Sequence, residues 1–199
     1  MYKIDKEIGI EQLKQDAKNI IDSNSDNPSY HETYGVFKRR FGETDFNNID
    51  KDEFTELTSM VYSWMPRILI LNWEEVDDNW DNISELLTKA SSDDELKKSE
   101  IETLSTLINN SIIGTSKVLH FINPEKYPIW DSRVREYLYG TKNGANNINR
   151  YGEYRCWALG IIEENRFDEL HNIVRKNIDY DYEVTEMRAI EQVCFYGNN

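Results

Sequence analysis

The sequence predicts an all-α fold, a compact globule of about ten short helices with a helix-hairpin-helix element near residues 95–123. Apolar residues recur at spacings of three and four along almost the whole chain, which is the period of an amphipathic helix. Hydrophobic residues make up 39% of the 199 positions, with only 9 glycines and 4 prolines. A chain of this length and composition forms either one domain, residues 1–199, or one unit with two lobes, 1–92 and 93–199.

The first half of the chain contains four predicted helices. Turn-forming residues end the first three, at 23–28, at Gly42 and at Pro66. The segment Arg67–Trp73 is rich in Ile and Leu, and it is either a short strand or a buried turn of helix. The apolar positions of the four helices are Ile10, Leu13, Ala17, Ile20 and Ile21; Tyr34, Phe37 and Phe41; Phe54, Leu57, Val61 and Trp64; and Trp80, Ile83, Leu86 and Leu87.

The second half of the chain is predicted to continue the helical pattern. Small polar and acidic residues favour helix starts, because their side chains satisfy the unpaired amide groups of the first turn. In chain order we expect a helix that starts at Ser91–Asp94 and ends at 109–111, a helix capped by Thr115 or Ser116 that stops at Pro124, a helix from Asp131 to Gly140, a loop over 141–149, and helices near 150–163, 167–177 and 183–195.

Charge is distributed unevenly along the chain. The 37 Asp and Glu residues exceed the 23 Lys and Arg residues, so the net charge is -14. Repulsion by this charge disfavours indiscriminate binding to a polyanion. From Thr115 to Arg155, however, seven basic residues accompany only four acidic ones. This pattern fits either a basic face on an acidic body, which nucleic-acid enzymes can use, or ordinary variation in surface charge.

The two cysteines and the apolar runs exclude several classes of protein. Cys156 and Cys194 form no CxxC pair and no Cys/His cluster with metal-ligand spacing, so the sequence predicts no metal and no cofactor. The N-terminal residues lack the apolar run of a signal peptide, and the run Ile68–Leu71 is too short to cross a bilayer. We therefore expect a cytoplasmic protein with no membrane partner.

The segment Leu107–Val134, LINNSIIGTSKVLHFINPEKYPIWDSRV, carries the functional information. It contains a helix end, a tight turn at Ile112–Gly114, a short amphipathic helix, a turn bracketed by prolines, and a helix that starts at Asp131. This order of a hairpin glycine, an early lysine on the second helix, an LHF-like apolar block and an aspartate resembles the helix-hairpin-helix DNA glycosylases. The resemblance is strongest to the branch of 8-oxoguanine glycosylase and endonuclease III.

This resemblance implies a function and a set of site residues. In the family, hairpin amides hold a DNA phosphate, the lysine attacks the sugar C1′, and the aspartate supports the charge that develops there. Gly114 would match a hairpin glycine, Lys117 the nucleophile and Asp131 the carboxylate. The implied partner is DNA with a damaged or modified base that flips out of the stack. No four-cysteine iron-sulfur signature follows this segment.

The residue types suit this chemistry in their own right. Cleavage of an N-glycosidic bond builds positive charge on the sugar, and a nearby carboxylate stabilises that charge. A lysine captures the sugar carbon when burial or neighbouring positive charge lowers its pKa. Aromatic and basic side chains nearby would contact an extruded base or the phosphates. The expected DNA-binding residues around the catalytic pair Lys117 and Asp131 are Gly114, Ser116, His120, Trp130, Arg133 and Arg135.

Other interpretations of the same residues stay open at this point. Asp131 is also a good helix N-cap, Lys117 is compatible with a solvated helix face, and His120 with a structural side chain. Two other functions fit the sequence. One is a non-catalytic helix-hairpin-helix module in which Gly114 and its neighbouring amides hold a phosphate. The other is an acidic decoy or partner of a DNA-binding protein. The glycosylase hypothesis predicts Lys117 and Asp131 at one cavity, with the basic residues of 115–155 along its rim.

Overall fold

Eleven helices and no β-strand occur in the computed structural model over the residues that it describes, 4, 8–20, 28–177 and 182–197. The all-α prediction and the predicted number of about ten helices are confirmed. The helices are α1 (Ile10–Asn19), α2 (Pro28–Gly42), α3 (Lys51–Tyr62), α4 (Trp73–Asp78), α5 (Trp80–Ser91), α6 (Lys98–Leu107), α7 (Ile112–Ile122), α8 (Ser132–Tyr139), α9 (Ile148–Ile162), α10 (Phe167–Asn177) and α11 (Glu186–Tyr196).

Short polar side chains mark the starts of six helices. Asp50 accepts a hydrogen bond from the amide of Glu53 at 2.8 Å, and Thr185 accepts one from the amide of Arg188 at 3.1 Å. Such a cap replaces the carbonyl partner that the first amides of a helix lack. The six caps, before α3, α4, α7, α8, α9 and α11, are Asp50, Asn72, Ser111, Asp131, Asn147 and Thr185.

Helix α7 packs against α2, α3, α5 and α6. Phe121 near its end is the centre of an aromatic cluster, with ring centroids 5.1 to 5.4 Å from those of four partners in or after α2 and α3. At the other side of the fold, α1 packs on α10 and α11, and α11 also contacts α8 and α9. The division into lobes 1–92 and 93–199 stays a prediction. The four ring partners of Phe121 are Tyr34, Phe37, Phe41 and Trp64.

The helix-hairpin-helix element consists of α6 and α7, but its turn differs from the prediction. The turn lies at residues 108–111, before the predicted position at Ile112–Gly114. Asn109 and Asn110 have φ angles of 55° and 45°, in the left-handed region that Asn tolerates better than most residues. Two asparagines therefore make the turn for which the sequence analysis expected a glycine.

The start of α7 is also corrected. Ser111 is its N-cap and accepts a hydrogen bond from the amide of Gly114 at 3.4 Å, so Gly114 lies inside the first helical turn. Thr115 and Ser116 were wrong as caps, because their hydroxyls bond to carbonyls of the preceding turn, at 2.9 Å in each case.

Two other boundaries differ from the sequence prediction. Helix α6 begins at Lys98 and not at Ser91–Asp94, because the Glu100 side chain turns back to accept from the amide of Lys97. The segment Arg67–Trp73 forms neither a regular strand nor a buried helical turn. Leu71 alone makes an isolated antiparallel bridge to Ile108, and Ile68 and Ile70 are 84% and 66% exposed.

Part of the prediction for the first helix concerns residues that the structure does not describe. The end predicted for the first helix at 23–28 falls almost wholly outside the described residues, as does Ile21.

Gly140 ends α8 as predicted, with a φ of 64° and its amide bonded to the carbonyl of Glu136. Among the described residues, no helix combines the length and apolar character that crossing a membrane requires.

Candidate functional site

A cavity of about 360 Å³ lies beside the N-terminal halves of α7 and α8. Its volume is at the lower end of the range of ~300 to 1,000 Å³ that is usual for small-molecule sites. Four separate parts of the chain form its walls: the end of α3 with the residues after it, the α6–α7 turn with α7, the start of α8, and the loop before α9. The lining residues are Tyr62, Met65, Pro66, Arg67, Asn109, Asn110, Ser111, Ile113, Lys117, Asp131, Ser132, Arg135, Ala145 and Asn146.

The predicted catalytic pair lies in this cavity, because both Lys117 and Asp131 line it. Lys117 is half-buried on the second turn of α7, and within the described part of the chain it makes no hydrogen bond or ion pair. Asp131 is half-buried at the N-cap of α8, where it accepts from the amide of Arg133 at 3.0 Å and from the Ser132 hydroxyl at 3.2 Å. Capping holds this carboxylate at the cavity wall.

The surroundings of Lys117 favour its neutral form. Burial lowers the pKa of the Lys117 amine below its usual value of 10.5, and the positive charge of Arg188 acts in the same direction. The negative charges of Asp131 and Glu191 oppose this shift. A lysine with a lowered pKa inside a cavity is a better nucleophile near neutral pH than a solvated lysine, because more of its amine is unprotonated.

A buried ion pair on α11 supplies two of the charges that act on Lys117. Arg188 and Glu191 are 0% and 1% exposed, and the guanidinium donates a short hydrogen bond to the carboxylate. Burial raises the pKa of Glu191, while the charge of Arg188 counteracts that effect. The pair therefore adds a charge of each sign near Lys117. No chemical role was predicted for this last helix from the sequence.

Ser116 and Trp130 precede Lys117 and Asp131 in the chain and help to position them, but they do not reach the surface. Both are fully buried, and the Trp130 amide donates to the Ser116 hydroxyl oxygen at 3.0 Å. The Trp130 indole donates to the carbonyl of Ala145 at 2.9 Å. These bonds tie α7 to the residue before Asp131 and to the cavity loop. In this structure neither side chain is accessible to a nucleic acid, contrary to the expected DNA contact.

His120 is likewise an interior side chain. Its Nδ1–H donates to the carbonyl of Tyr127 at 2.8 Å, and its Nε2 accepts from the Tyr34 hydroxyl at 2.7 Å. Burial, with the positive charge of Arg188, lowers the pKa of His120 to about 3. A carbonyl can only accept, so this network requires the neutral Nδ1–H tautomer. His120 therefore has a structural role and makes no contact at the cavity.

Gly114 permits a close approach between two helices. A Cβ atom at this position would lie 2.2 Å from the hydroxyl oxygen of Tyr62 and 2.9 Å from the carbon that carries it. Tyr62 comes from the end of α3 and lines the cavity. Gly114 is thus needed for the packing of α3 on α7, and not for the hairpin turn.

The hairpin amides are largely occupied within the protein. The amide of Asn109 donates to the carbonyl of Ile70 at 2.9 Å, and that of Ile112 donates to the Asn146 side chain at 2.8 Å. The amide of Gly114 bonds to Ser111. A module that holds a phosphate with these amides would need to break internal bonds. Both the glycosylase resemblance and the non-catalytic hairpin alternative imply this phosphate contact, and for both it stays a prediction.

The basic residues of 115–155 do not form a continuous rim. Of the seven, Lys117 and Arg135 line the cavity. The others make contacts elsewhere: Lys126 with carbonyls at 92 and 93, Arg133 over the ring of Phe195, Lys142 with Glu136, Arg150 over the ring of Tyr139, and Arg155 with Glu95. The expected DNA contact of Arg133 stays a prediction, since its side chain is exposed.

Several polar lining residues were not predicted from the sequence, among them Tyr62, Arg67, Asn109 and Asn146. Asn109 clamps the exposed segment before α4, accepting from the amide of Ile70 at 2.8 Å and donating to the carbonyl of Ile68 at 3.0 Å. Asn146 donates to the carbonyl of Asn110 at 2.7 Å. In the sequence, the adjacent Asn109 and Asn110 after α6 were a signal for a left-handed turn. Nothing in the spacing of Tyr62 or Arg67 pointed to the cavity.

Comparisons with known protein families, with curated proteins and with solved structures found no match. Among the described residues, no three His, Cys, Asp or Glu side chains are grouped closely enough to hold a metal ion. The geometry of the cavity is therefore the observation from which a function is inferred.

Proposed function

We propose that the protein is a DNA N-glycosylase that removes an extruded base and uses Lys117 and Asp131 as its catalytic pair. The observation that carries this proposal is the cavity shared by the two side chains. The reaction requires a nucleophilic amine and a carboxylate. Lys117 has no hydrogen-bond partner among the described residues, and helix capping holds the Asp131 carboxylate at the cavity. Their common cavity supports the proposal, which the resemblance to the glycosylases first suggested.

The proposed reaction starts with the target nucleotide extruded into the cavity. The neutral Lys117 Nζ forms a bond to C1′ while the N-glycosidic bond breaks, and the base leaves with the bonding electrons. Positive charge on the sugar is stabilised by the Asp131 carboxylate as the bond order to the base falls. The proton that Nζ releases neutralises the departing base. Ring opening then converts the adduct into a Schiff base.

The exposed segment beside the cavity fits a role in base extrusion. Pro66 and Arg67 line the cavity, and Ile68 and Ile70 follow with most of their surface in solvent. Apolar side chains of this kind insert between base steps and fill the space that an extruded base leaves. Asn109 holds the backbone of this segment in place. We assign Ile68 and Ile70 to this contact within the proposal.

Borohydride trapping tests the proposal directly, because borohydride reduces a Schiff base to a stable covalent adduct. The full chain is incubated with duplex oligonucleotides that carry an abasic site, an oxidised base or another modified base. We expect an adduct with the wild-type protein and none with Lys117→Gln. Lys98→Gln is the matched control, since Lys98 is exposed at the start of α6 and does not line the cavity.

The result also separates the competing functions. No adduct and no base release over the whole panel would contradict the enzyme proposal. The non-catalytic helix-hairpin-helix module and the acidic decoy, the second of which the net charge of -14 suggests, would then be the remaining functions. Base release that persists in Lys117→Gln would indicate a glycosylase in which water, and not the lysine, attacks the sugar.

A further inference from the structure

We propose that the cavity contains a subsite for a phosphate group of the substrate, formed by Arg135 with Arg67. This inference deepens the proposed function and rests on it, since it takes the cavity as the place where the nucleotide binds. It adds an anion-binding element inside the cavity to the catalytic pair. Arg67 was not among the residues that the sequence analysis selected.

Arg135 is a buried cation with an unused donor. It is only 3% exposed, and its Nε and Nη2 atoms both donate to the carbonyl of Lys142, at 3.2 and 3.0 Å. Its Nη1 atom is buried and has no hydrogen-bond partner, and the residue lines the cavity. A buried donor without a partner costs free energy, and more so when the group is charged. Because Arg135 lines the cavity, we assign the missing acceptor to a group bound there.

The charge of Arg135 also lacks a direct counter-ion. No carboxylate of the described chain lies within 4.0 Å of its guanidinium, which donates to the neutral carbonyl of Lys142 and lies 5.5 Å from the ring centroid of Trp130. The negative charge of Asp131 acts on Arg135 only from a longer distance. The usual partner of a buried guanidinium is a carboxylate or a phosphate, which it binds through paired N–H donors. The missing partner is therefore expected to be an anion.

The cavity as a whole is positive, although the protein is strongly acidic. Its ionisable lining consists of Arg67, Lys117 and Arg135 against Asp131 alone, so its charge is +2 with Lys117 protonated and +1 with Lys117 neutral. The complete chain carries -14. A local positive charge in a recess concentrates anions there. The anionic group of the proposed substrate is the phosphodiester on either side of the target nucleotide, which favours phosphate over a carboxylate.

Calorimetric titration with inorganic phosphate tests this subsite without any need for catalysis. Chloride keeps the ionic strength constant, so that a general salt effect is removed. We expect saturable binding of one phosphate to the wild-type protein. Arg67→Gln and Arg135→Lys should each weaken it about tenfold or more, since a hydrogen bond to a charged group is lost. Arg175→Gln, an exposed arginine on α10 outside the cavity, should leave it unchanged.

Two results would overturn the subsite. One is an absence of saturable binding to the wild-type protein, and the other is equal affinity in all four proteins. Because Arg135 is buried, its variant is first checked by circular dichroism. Should Arg135→Lys fail to fold, Arg67→Gln alone decides, since the Arg67 side chain is exposed and lies at the cavity.

The trapping assay then distinguishes the subsite from the proposed function. Inorganic phosphate should inhibit adduct formation, with an inhibition constant equal to the dissociation constant from calorimetry. Phosphate binding without inhibition would assign the site to free phosphate and overturn its role for the substrate. Adduct formation without phosphate binding would leave the glycosylase proposal standing and remove the subsite. Phosphate binding without any adduct would remove the glycosylase and leave an anion-binding cavity.

Discussion

Lys117 and His120 lie three residues apart on α7, and each has a basic nitrogen and a pKa lowered by burial. The surroundings of the two side chains nevertheless differ. Both ring nitrogens of His120 have partners, whereas the amine of Lys117 has none among the described residues and opens into a cavity. Satisfied polar atoms stabilise the native structure, whereas unsatisfied polar atoms at a cavity are available to a ligand.

The same contrast separates Ser116 and Trp130, whose polar atoms all have partners, from Arg135 on α8. Ser116 and Trp130 use their polar atoms in bonds between elements, and Arg135, one turn after Asp131, keeps one buried donor unused. Within the described residues, the candidate site thus combines three polar atoms without a hydrogen-bond partner, the Lys117 Nζ, the Arg135 Nη1 and the Asp131 Oδ2, with a larger set of satisfied groups around them.

Two substitutions at Asp131 should separate its role as a helix cap from its proposed catalytic role. Asn caps a helix as well as Asp does but carries no charge, so Asp131→Asn should change stability by a few tenths of a kcal/mol and slow adduct formation by roughly 10²- to 10³-fold. Asp131→Ala should add a loss of about 1 kcal/mol in the free energy of unfolding. Urea unfolding and single-turnover trapping measure the two effects. A normal trapping rate in Asp131→Asn would leave capping as its sole role.

The pH dependence of trapping should report the lowered pKa of Lys117. Only the neutral amine attacks, so the rate should rise about tenfold per pH unit below that pKa and level off at a pH below 10.5, the usual lysine value. Single-turnover rates between pH 5 and 10 on an abasic duplex give this profile. A rate independent of pH across that range would show that the amine of Lys117 is not the nucleophile.

His120 should affect stability and leave chemistry untouched. At pH 7, His120→Gln should lower the free energy of unfolding by about 1 to 3 kcal/mol, because it disrupts two buried hydrogen bonds. The folded protein keeps His120 neutral down to about pH 3, whereas the unfolded chain takes up this proton near pH 6.5. The unfolded state therefore binds more protons between these values, and this contribution to stability is lost as the pH falls through that window.

The difference in the free energy of unfolding between the wild-type protein and His120→Gln separates the contribution of His120 from that of the many carboxylates that titrate in the same pH range. The wild-type protein should lose up to ~1.4 kcal/mol per pH unit relative to His120→Gln between pH 6.5 and 3. Denaturant unfolding at several pH values measures both curves. Parallel curves would mean that His120 is charged in the folded protein, which would contradict the neutral network with Tyr34 and Tyr127.

The smallest effect is expected at Gly114. Gly114→Ala gains about 1 kcal/mol of helix propensity but introduces a contact of 2.2 Å with Tyr62, so we expect a net loss of about 1 to 2 kcal/mol. Tyr62→Phe removes the atom in closest contact, and the double variant should recover part of this loss. Thermal unfolding of the four proteins of this cycle gives the coupling. Additive effects would place the two side chains out of contact.

The local structure of the site was predictable to a considerable degree. Asp131 was expected to open a helix and Gly140 to end it, and both do so. The pairing of α6 with α7 was also expected, and so was a lysine early on the second helix. The position of the turn was wrong by a few residues, because Asn109 and Asn110 adopt left-handed angles and Ser111 caps the helix in place of Thr115 or Ser116.

The cavity itself could not be predicted from local patterns. Its walls come from residues near 62–67, 109–117, 131–135 and 145–146, and these are brought together only by packing of α3, α7 and α8. The period of a helix predicts which residues share a face, but it does not tell which part of that face meets another element. His120 and Trp130 were among the expected DNA-binding residues, and packing placed both in the interior.

The sequence by itself determined the helical class, because apolar spacing and capping side chains act over a few residues along the chain. It also determined the start of α8 at Asp131 and the presence of Lys117 on α7. The tertiary structure decided which polar atoms find partners. That depends on segments far apart in the chain, such as the carbonyl of Lys142 beside Arg135 and the hydroxyl of Tyr34 beside His120. Those pairings separate the structural residues from the candidate functional ones.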